Sequence, residues 1–305
     1  MLDVDVNAKW SLNGTVVAGN SKKGNAVNQL NTPAGLYVDC DETMYITDQF
    51  NHRIMACRAS SPNGLVIIGA KKQGNRPDQL NNPVDITMDK ENNFLIISDA
   101  GNRRVVRWPL ENGTQGQVII SDISCYGLAL DSTGCLYVSD PVRHEVRQFQ
   151  VGDSQGTVIA GGNGDGDQLD QLSAPTYIFV DLQQSLYISD YNNNRVMKWP
   201  KGAKQGIVVA GGQGQGDSFT QLWHPCGIVV DRLGTIYVSD HGNKRVMRWL
   251  KGAETGSVIV SEIPSDNNPN QLQNPTGLSL DQAGNLYVSN GHRVQKFNII
   301  SNLNT

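Results

Sequence analysis

The chain is written in short apolar runs separated by polar, glycine-rich turns, and the runs come in groups of four. Gly227-Ile228-Val229-Val230-Asp231 is followed by Thr235-Ile236-Tyr237-Val238-Ser239-Asp240, then Arg245-Val246-Met247-Arg248-Trp249, then Gly256-Ser257-Val258-Ile259-Val260. Each run is rich in β-branched and aromatic residues and is closed by Gly, Asp or Asn, the signature of a short strand ending in a turn. No stretch sustains a helical period. The first run of each group is apolar at nearly every position, as expected of a strand that touches neighbours on both faces.

The group recurs. A phrase of the form Asp-x-x-Gly-x-Leu-Tyr-Val-Ser-Asp-x-x-Asn-x-Arg-Val returns six times, its second aspartate falling at Asp48, Asp99, Asp140, Asp190 and Asp240, with Asn290 in sixth place. A period near fifty residues points to a solenoid, a propeller or an array. Four antiparallel strands per unit, arranged radially, predict a six-bladed all-β propeller, with blade cores near 33–69, 83–120, 125–162, 175–212, 225–260 and 275–297. The sixth repeat lacks an outer strand after it. Gly14-Thr15-Val16-Val17-Ala18-Gly19 matches Gly206-Ile207-Val208-Val209-Ala210-Gly211, so residues 14–19 are expected to complete the last blade and remove the open edges of a linear array.

Length and composition narrow the picture without naming a function. The 305 residues are six blades with little left over, and 32 Gly with 18% charged residues suit a turn-dense β-protein, so one domain over 1–305 is expected. Apolar runs of about five residues are too short to span a membrane, and residues 1–13 carry no apolar core of a signal peptide. A formal net charge of −4 gives no global attraction to nucleic acid. The five cysteines have no zinc spacing and read as buried thiols. Two sequons, Asn13-Gly14-Thr15 and Asn112-Gly113-Thr114, tilt the expectation toward a secreted glycoprotein.

Asp48-Gln49-Phe50-Asn51-His52-Arg53-Ile54, Asp190-Tyr191-Asn192-Asn193-Asn194-Arg195-Val196 and Asp240-His241-Gly242-Asn243-Lys244-Arg245-Val246 resemble the Asn-His-Leu, or NHL, repeat, over almost the whole chain. The resemblance implies the propeller. It is open as to function, because that family includes RNA-binding and protein-binding domains, sensor domains and a lyase of peptide amidation.

Residues used in five or six repeats are expected to hold each blade together. Asp39 and its equivalents are placed to accept turn amides, and the repeat tyrosines are read as core, their hydroxyls meeting backbone. Function is sought where the repeat breaks, at the residues beginning the inner strands, which are taken to line the channel mouth. There the repeat reads Gly35, Asp85, Gly127, Tyr177, Gly227 and Gly277, preceded in the third blade by Tyr126 in place of a repeat residue. Asp85 alone supplies no metal cage of the kind six-bladed lactonases use, since a hard cation takes about six oxygens, and none of the five histidines falls within an inner strand. No cofactor is expected. The glycine-rich 161–167 segment alternates oxygen side chains but lacks a closing acid, so a wide turn is the expected reading.

The third repeat departs most. Residues 121–125 replace the longer loop that ends in Gln-Leu-x-x-Pro elsewhere, and Arg143-His144-Glu145 stands where other repeats have Asn-x-Arg. The expected function is a non-enzymatic binding propeller, a monomer that takes a peptide, glycan or partner loop through Asp85, Tyr126, Arg143, His144 and Tyr177. A metal-dependent hydrolase or lyase and an RNA-binding domain are the alternatives.

Overall fold

A computed structural model describes residues 3–61, 63–69, 72–111, 113–150, 152–261 and 272–300. These residues form six four-stranded antiparallel sheets around a central channel, a six-bladed β-propeller, with one further two-stranded sheet at its edge. In the fourth blade Pro175–Val180 is innermost, followed outward by Leu186–Asp190, Arg195–Trp199 and Ile207–Gly211. The last blade is built from both ends of the chain. Thr15–Gly19 pairs with Arg293–Phe297, Thr15 opposite Lys296 and Gly19 opposite Arg293, as the repeat of Gly-x-Val-Val-Ala-Gly predicts. Lys9–Trp10 pairs with Ile299–Ile300 to form the two-stranded sheet across the same seam.

The core lies between blades and is made by the alternation of each strand. Met44, Ile46 and Met55 of one blade, and Leu186, Ile188 and Met197 of another, are almost fully buried, and Trp199 and Trp249 are buried in the same kind of cluster. The repeat tyrosines Tyr137, Tyr237 and Tyr287 are buried as expected, but their hydroxyls do not meet backbone. They donate to the carboxylates of Asp131, Asp231 and Asp281 at 3.0, 3.2 and 3.2 Å. One aspartate therefore anchors both its own turn, through amides such as Thr235 N at 2.8 Å, and the neighbouring tyrosine.

The ends of each blade differ in kind. One face of the ring carries the turns between first and second strands, here the turn face. The other, the loop face, carries the inter-blade loops, which are held by a buried arginine. In the fourth blade Asp190 accepts Arg195 Nε at 2.7 Å, Asn193 at 2.9 Å and Ser173 N at 2.7 Å. The rest of the guanidinium donates to the carbonyls of Asp167, Gln168 and Gln171. Asp48–Arg53, Asp99–Arg104 and Asp240–Arg245 repeat the arrangement at the same 2.7 Å. The third blade has no long loop to hold and no arginine to hold it: Glu145 occupies that place and accepts Arg147 Nε at 2.6 Å.

The five cysteines are free, and Cys57, Cys125 and Cys226 are buried, whereas Cys40 is exposed because it sits in a turn rather than a strand. Asn13 of the first sequon is exposed; Asn112 of the second lies outside the described residues. No helix among the described residues is long and apolar enough to cross a membrane.

Deleting residues 1–19 removes the outer strand of the last blade and should lower the melting temperature by about 3–6 °C or cause aggregation, by differential scanning fluorimetry, roughly what 2–4 kcal/mol does in a chain of this size. Arg195→Ala strands a buried carboxylate and should cost about 3–5 kcal/mol in urea denaturation, while Arg143→Ala, exposed in the irregular blade, should cost less than about 0.5 kcal/mol.

Candidate functional site

The site is set by how closely the inner strands approach. At the start of the inner strands, Gly35, Gly127, Gly227 and Gly277 lie so near the next blade that a Cβ on any of them would collide with it: with Asp85 for Gly35, and with the Thr176, Thr276 and Ala34 carbonyls for the others. Hydroxyls tie the strands together at this level. Thr47 Oγ1 accepts Gly35 N at 2.7 Å and donates to the Val84 carbonyl at 2.9 Å, and Thr276 Oγ1 donates to the Pro33 carbonyl at 3.1 Å. The ring is thereby drawn tight at its loop-face end.

Two positions of that tier are not glycine, Asp85 and Tyr177, and above them toward the turn face a cavity of about 670 Å³ opens along the axis. Its size lies within the usual range for a small-molecule or peptide site. Asp85 and Tyr177 form its floor. Tyr37, Thr87, Phe179, Val229 and Ser279, two residues further along their strands, line its wall, and Asp39, Lys90, Arg232 and Gln282 stand at its mouth. Lys90 Nζ reaches across from the second blade to Asp39 of the first at 2.9 Å.

Asp85 is 7% exposed. Its Oδ1 accepts Ile86 N at 2.9 Å, and its Oδ2 accepts Leu128 N of the third blade at 2.8 Å. Burial pushes its carboxyl up to about 7, only partly opposed by those two amide bonds. Tyr177 is 4% exposed, its hydroxyl has no hydrogen-bond partner among the described residues, and burial, then Tyr126 and Asp85, hold its proton on well above the usual phenol range. Tyr126 meets Tyr177 edge to face, centroids 5.5 Å apart at 88°. It also packs against the cluster that holds Cys226, whose thiol burial raises to about 12.

Of the five residues singled out in the sequence, three therefore converge: Asp85, Tyr126 and Tyr177, from three successive blades. Arg143 and His144 do not join them. Arg143 is exposed on the loop face, and His144 Nδ1 accepts Ala174 N of the next blade at 3.1 Å. His52 to Asn82, at 3.0 Å, and Asn194 to His224, at 2.9 Å, make the same bond thirty residues ahead, so His144 is part of the repeated stitching between blades. The mouth itself also lies at the opposite end from the one expected. The residues that begin the inner strands pack closely through their glycines, and the cavity is lined by the later residues of those strands. Tyr37, Phe179 and Lys90 do not stand out in the sequence; the signal for the first two is their spacing, two residues beyond the tier of Asp85 on the same strand face.

Among the described residues no three His, Cys, Asp or Glu side chains converge as a metal site. The 161–167 loop is a wide turn with Gly161, Gly162 and Gly164 at positive φ, closed by a bridge from Asp165 to Leu172.

No family model and no curated protein sequence matches the chain. Solved structures share the fold at low identity. A protein of unknown function from Bacteroides thetaiotaomicron has a TM-score of 0.76 at 16% identity, over 96% of this chain and 77% of that one. An auxiliary nutrient binding protein from the same organism has 0.67 at 13%, over 95% and 77%. A streptogramin B lyase has 0.57 at 13%, over 94% and 98%.

The buried carboxyl makes a prediction about pH. A carboxyl whose folded value lies above its unfolded one keeps a proton in the folded state that the unfolded state has released, so stability falls as pH rises from about 4 to about 7. The fall is up to about 4 kcal/mol at ~1.4 kcal/mol per unit. Asp85→Asn should lack that slope in urea denaturation at a series of pH values, whatever constant offset results from losing one acceptor. Parallel profiles for the two proteins would place the titration elsewhere.

Proposed function

We propose that the chain is an NHL-type, single-domain binding propeller whose ligand, a peptide, a glycan or a loop of a partner protein, enters the channel from the turn face and reaches Asp85 and Tyr177. The observation that carries this reading is the cavity itself. It begins where the glycines of neighbouring inner strands pack closely, runs toward the polar turns, and is walled by side chains that differ from blade to blade. A repeated scaffold gives each blade the same clasp, whereas the wall residues Tyr37, Thr87, Ala129, Phe179, Val229 and Ser279 share no common type. Such variety inside a concave surface supports recognition of an asymmetric ligand. A neighbour of the same fold named as a nutrient binding protein agrees in kind. The Asp48, Asn51 and Arg53 bonding and its equivalents support the NHL reading, since those residues carry the resemblance.

The experiment is a combined peptide and glycan array with the protein and its Thr87→Trp variant. Thr87 is half-buried on the channel wall, so an indole there fills the cavity from the side. The protein should bind a restricted set of array members, and Thr87→Trp should lose them at least tenfold while melting within a few degrees of the parent. Array binding unchanged by Thr87→Trp but lost in Arg143→Ala would move the site to the loop face.

A further inference from the structure

The channel floor holds two polar groups that the fold leaves incomplete. Asp85 has no cationic side chain in hydrogen-bond reach among the described residues; two amide N–H groups are its protein partners. A carboxylate offers about four acceptor sites on two oxygens, so half remain open. Tyr177 is more deeply buried still, yet its hydroxyl has no partner among the described residues, an arrangement that costs about 1–3 kcal/mol unless something fills it. Both residues line one cavity, and the charge on Asp85 is felt by the Tyr177 hydroxyl.

The chemistry of the two groups limits the ligand that would complete both. An anion meets an uncompensated carboxylate. A divalent cation needs several more oxygen or nitrogen ligands than the described residues bring together. A guanidinium prefers two parallel carboxylate acceptors, and here each oxygen is already turned to a different backbone N–H. A primary ammonium is compact, carries three donors and can give one to Asp85 and one to the Tyr177 oxygen.

We propose that the channel floor recognises the primary ammonium group of its ligand, Asp85 neutralising the charge and the Tyr177 hydroxyl orienting it, with the remainder of the ligand directed toward the turn-face mouth. This rests on the channel reading above. The titratable groups that face Asp85 are Tyr126, Tyr177 and, through Tyr126, Cys226, all neutral at physiological pH because burial holds their protons on. Lys90 stands at the mouth, paired to Asp39 at 2.9 Å. Asp85 is therefore the group whose ionisation gates the site below about pH 7, where an alkylammonium and a peptide N-terminus both stay protonated. Affinity rises with pH as the carboxyl ionises near 7.

Calorimetry with 2-phenylethylamine, triglycine and the N-acetyl form of each tests this and separates its sources. At least one free amine should bind, its acetylated form at least tenfold more weakly. Binding of 2-phenylethylamine alone assigns a small amine; binding of triglycine as well, or alone, assigns a peptide N-terminus. Affinity for 2-phenylethylamine should rise about tenfold from pH 6 to pH 8, the change in ionised fraction about a value near 7, and affinity for triglycine should rise by less, because an α-amino group with a pKa of about 8 has begun to lose its own proton; Asp85→Asn should abolish both binding and its pH dependence. Tyr177→Phe should leave stability equal or higher, because it removes an unpartnered hydroxyl, and weaken the amine about fivefold. No preference for free over acetylated probes, or equal binding by Asp85→Asn, overturns the proposal. If Thr87→Trp abolishes array binding under that result, the ammonium inference alone has failed; if array binding survives Thr87→Trp, the channel reading has failed with it.

Discussion

The structure depends on a buried guanidinium. In four blades an arginine at the head of the third strand neutralises the aspartate that ends the second, and its remaining donors hold three carbonyls of the loop that leads into the blade. Neither charge is stable there alone, since an unpaired buried ion costs several kcal/mol. The clasp thus fixes where the loop ends, hence where the inner strand starts, hence how near its glycine comes to the next blade. The narrow end of the channel is a distant result of that geometry.

The third blade has lost the clasp, and its neighbours adjust. Its loop is short, so no carbonyls await an arginine, and Glu145 turns to Arg147 instead. Its inner strand shrinks to Leu128–Leu130. The amide of Leu128 then finds its acceptor in Asp85 of the preceding blade. The one carboxylate in the floor tier is therefore placed by the same irregularity that shortens the loop. A structural need, satisfying an N–H, and a chemical one, presenting charge in a cavity, meet in one side chain.

Much of this is readable in the residues, and the remainder is not for identifiable reasons. The blade count, the strands and the closing strand 14–19 come from repetition, which displays each position several times over. Asp85 and Tyr177 stand out as interruptions in a column of glycines. The direction in which the channel opens is not legible, because it depends on contacts such as Gly277 against the Ala34 carbonyl, between residues at opposite ends of the chain. His144 looks like a departure because its partner, Ala174 N, lies thirty residues ahead and in another blade. The tyrosine hydroxyls find carboxylates rather than backbone for a similar reason: a rim aspartate serves its own turn and a nearby side chain at once, and spacing along the chain displays only the turn.

The seam has a consequence for the order in which the chain is made. Thr15–Gly19 leaves the ribosome roughly 280 residues ahead of its partner Arg293–Phe297. At ordinary synthesis rates of about 5–20 residues per second, roughly 15–60 s separate the two. Throughout that interval Thr-Val-Val-Ala-Gly is an unpaired β-edge with nothing of its own ring to join. The five other blades can each form from contiguous chain as it emerges, so the nascent molecule is an arc of increasing length trailing a loose strand, and the circle closes in a single late event.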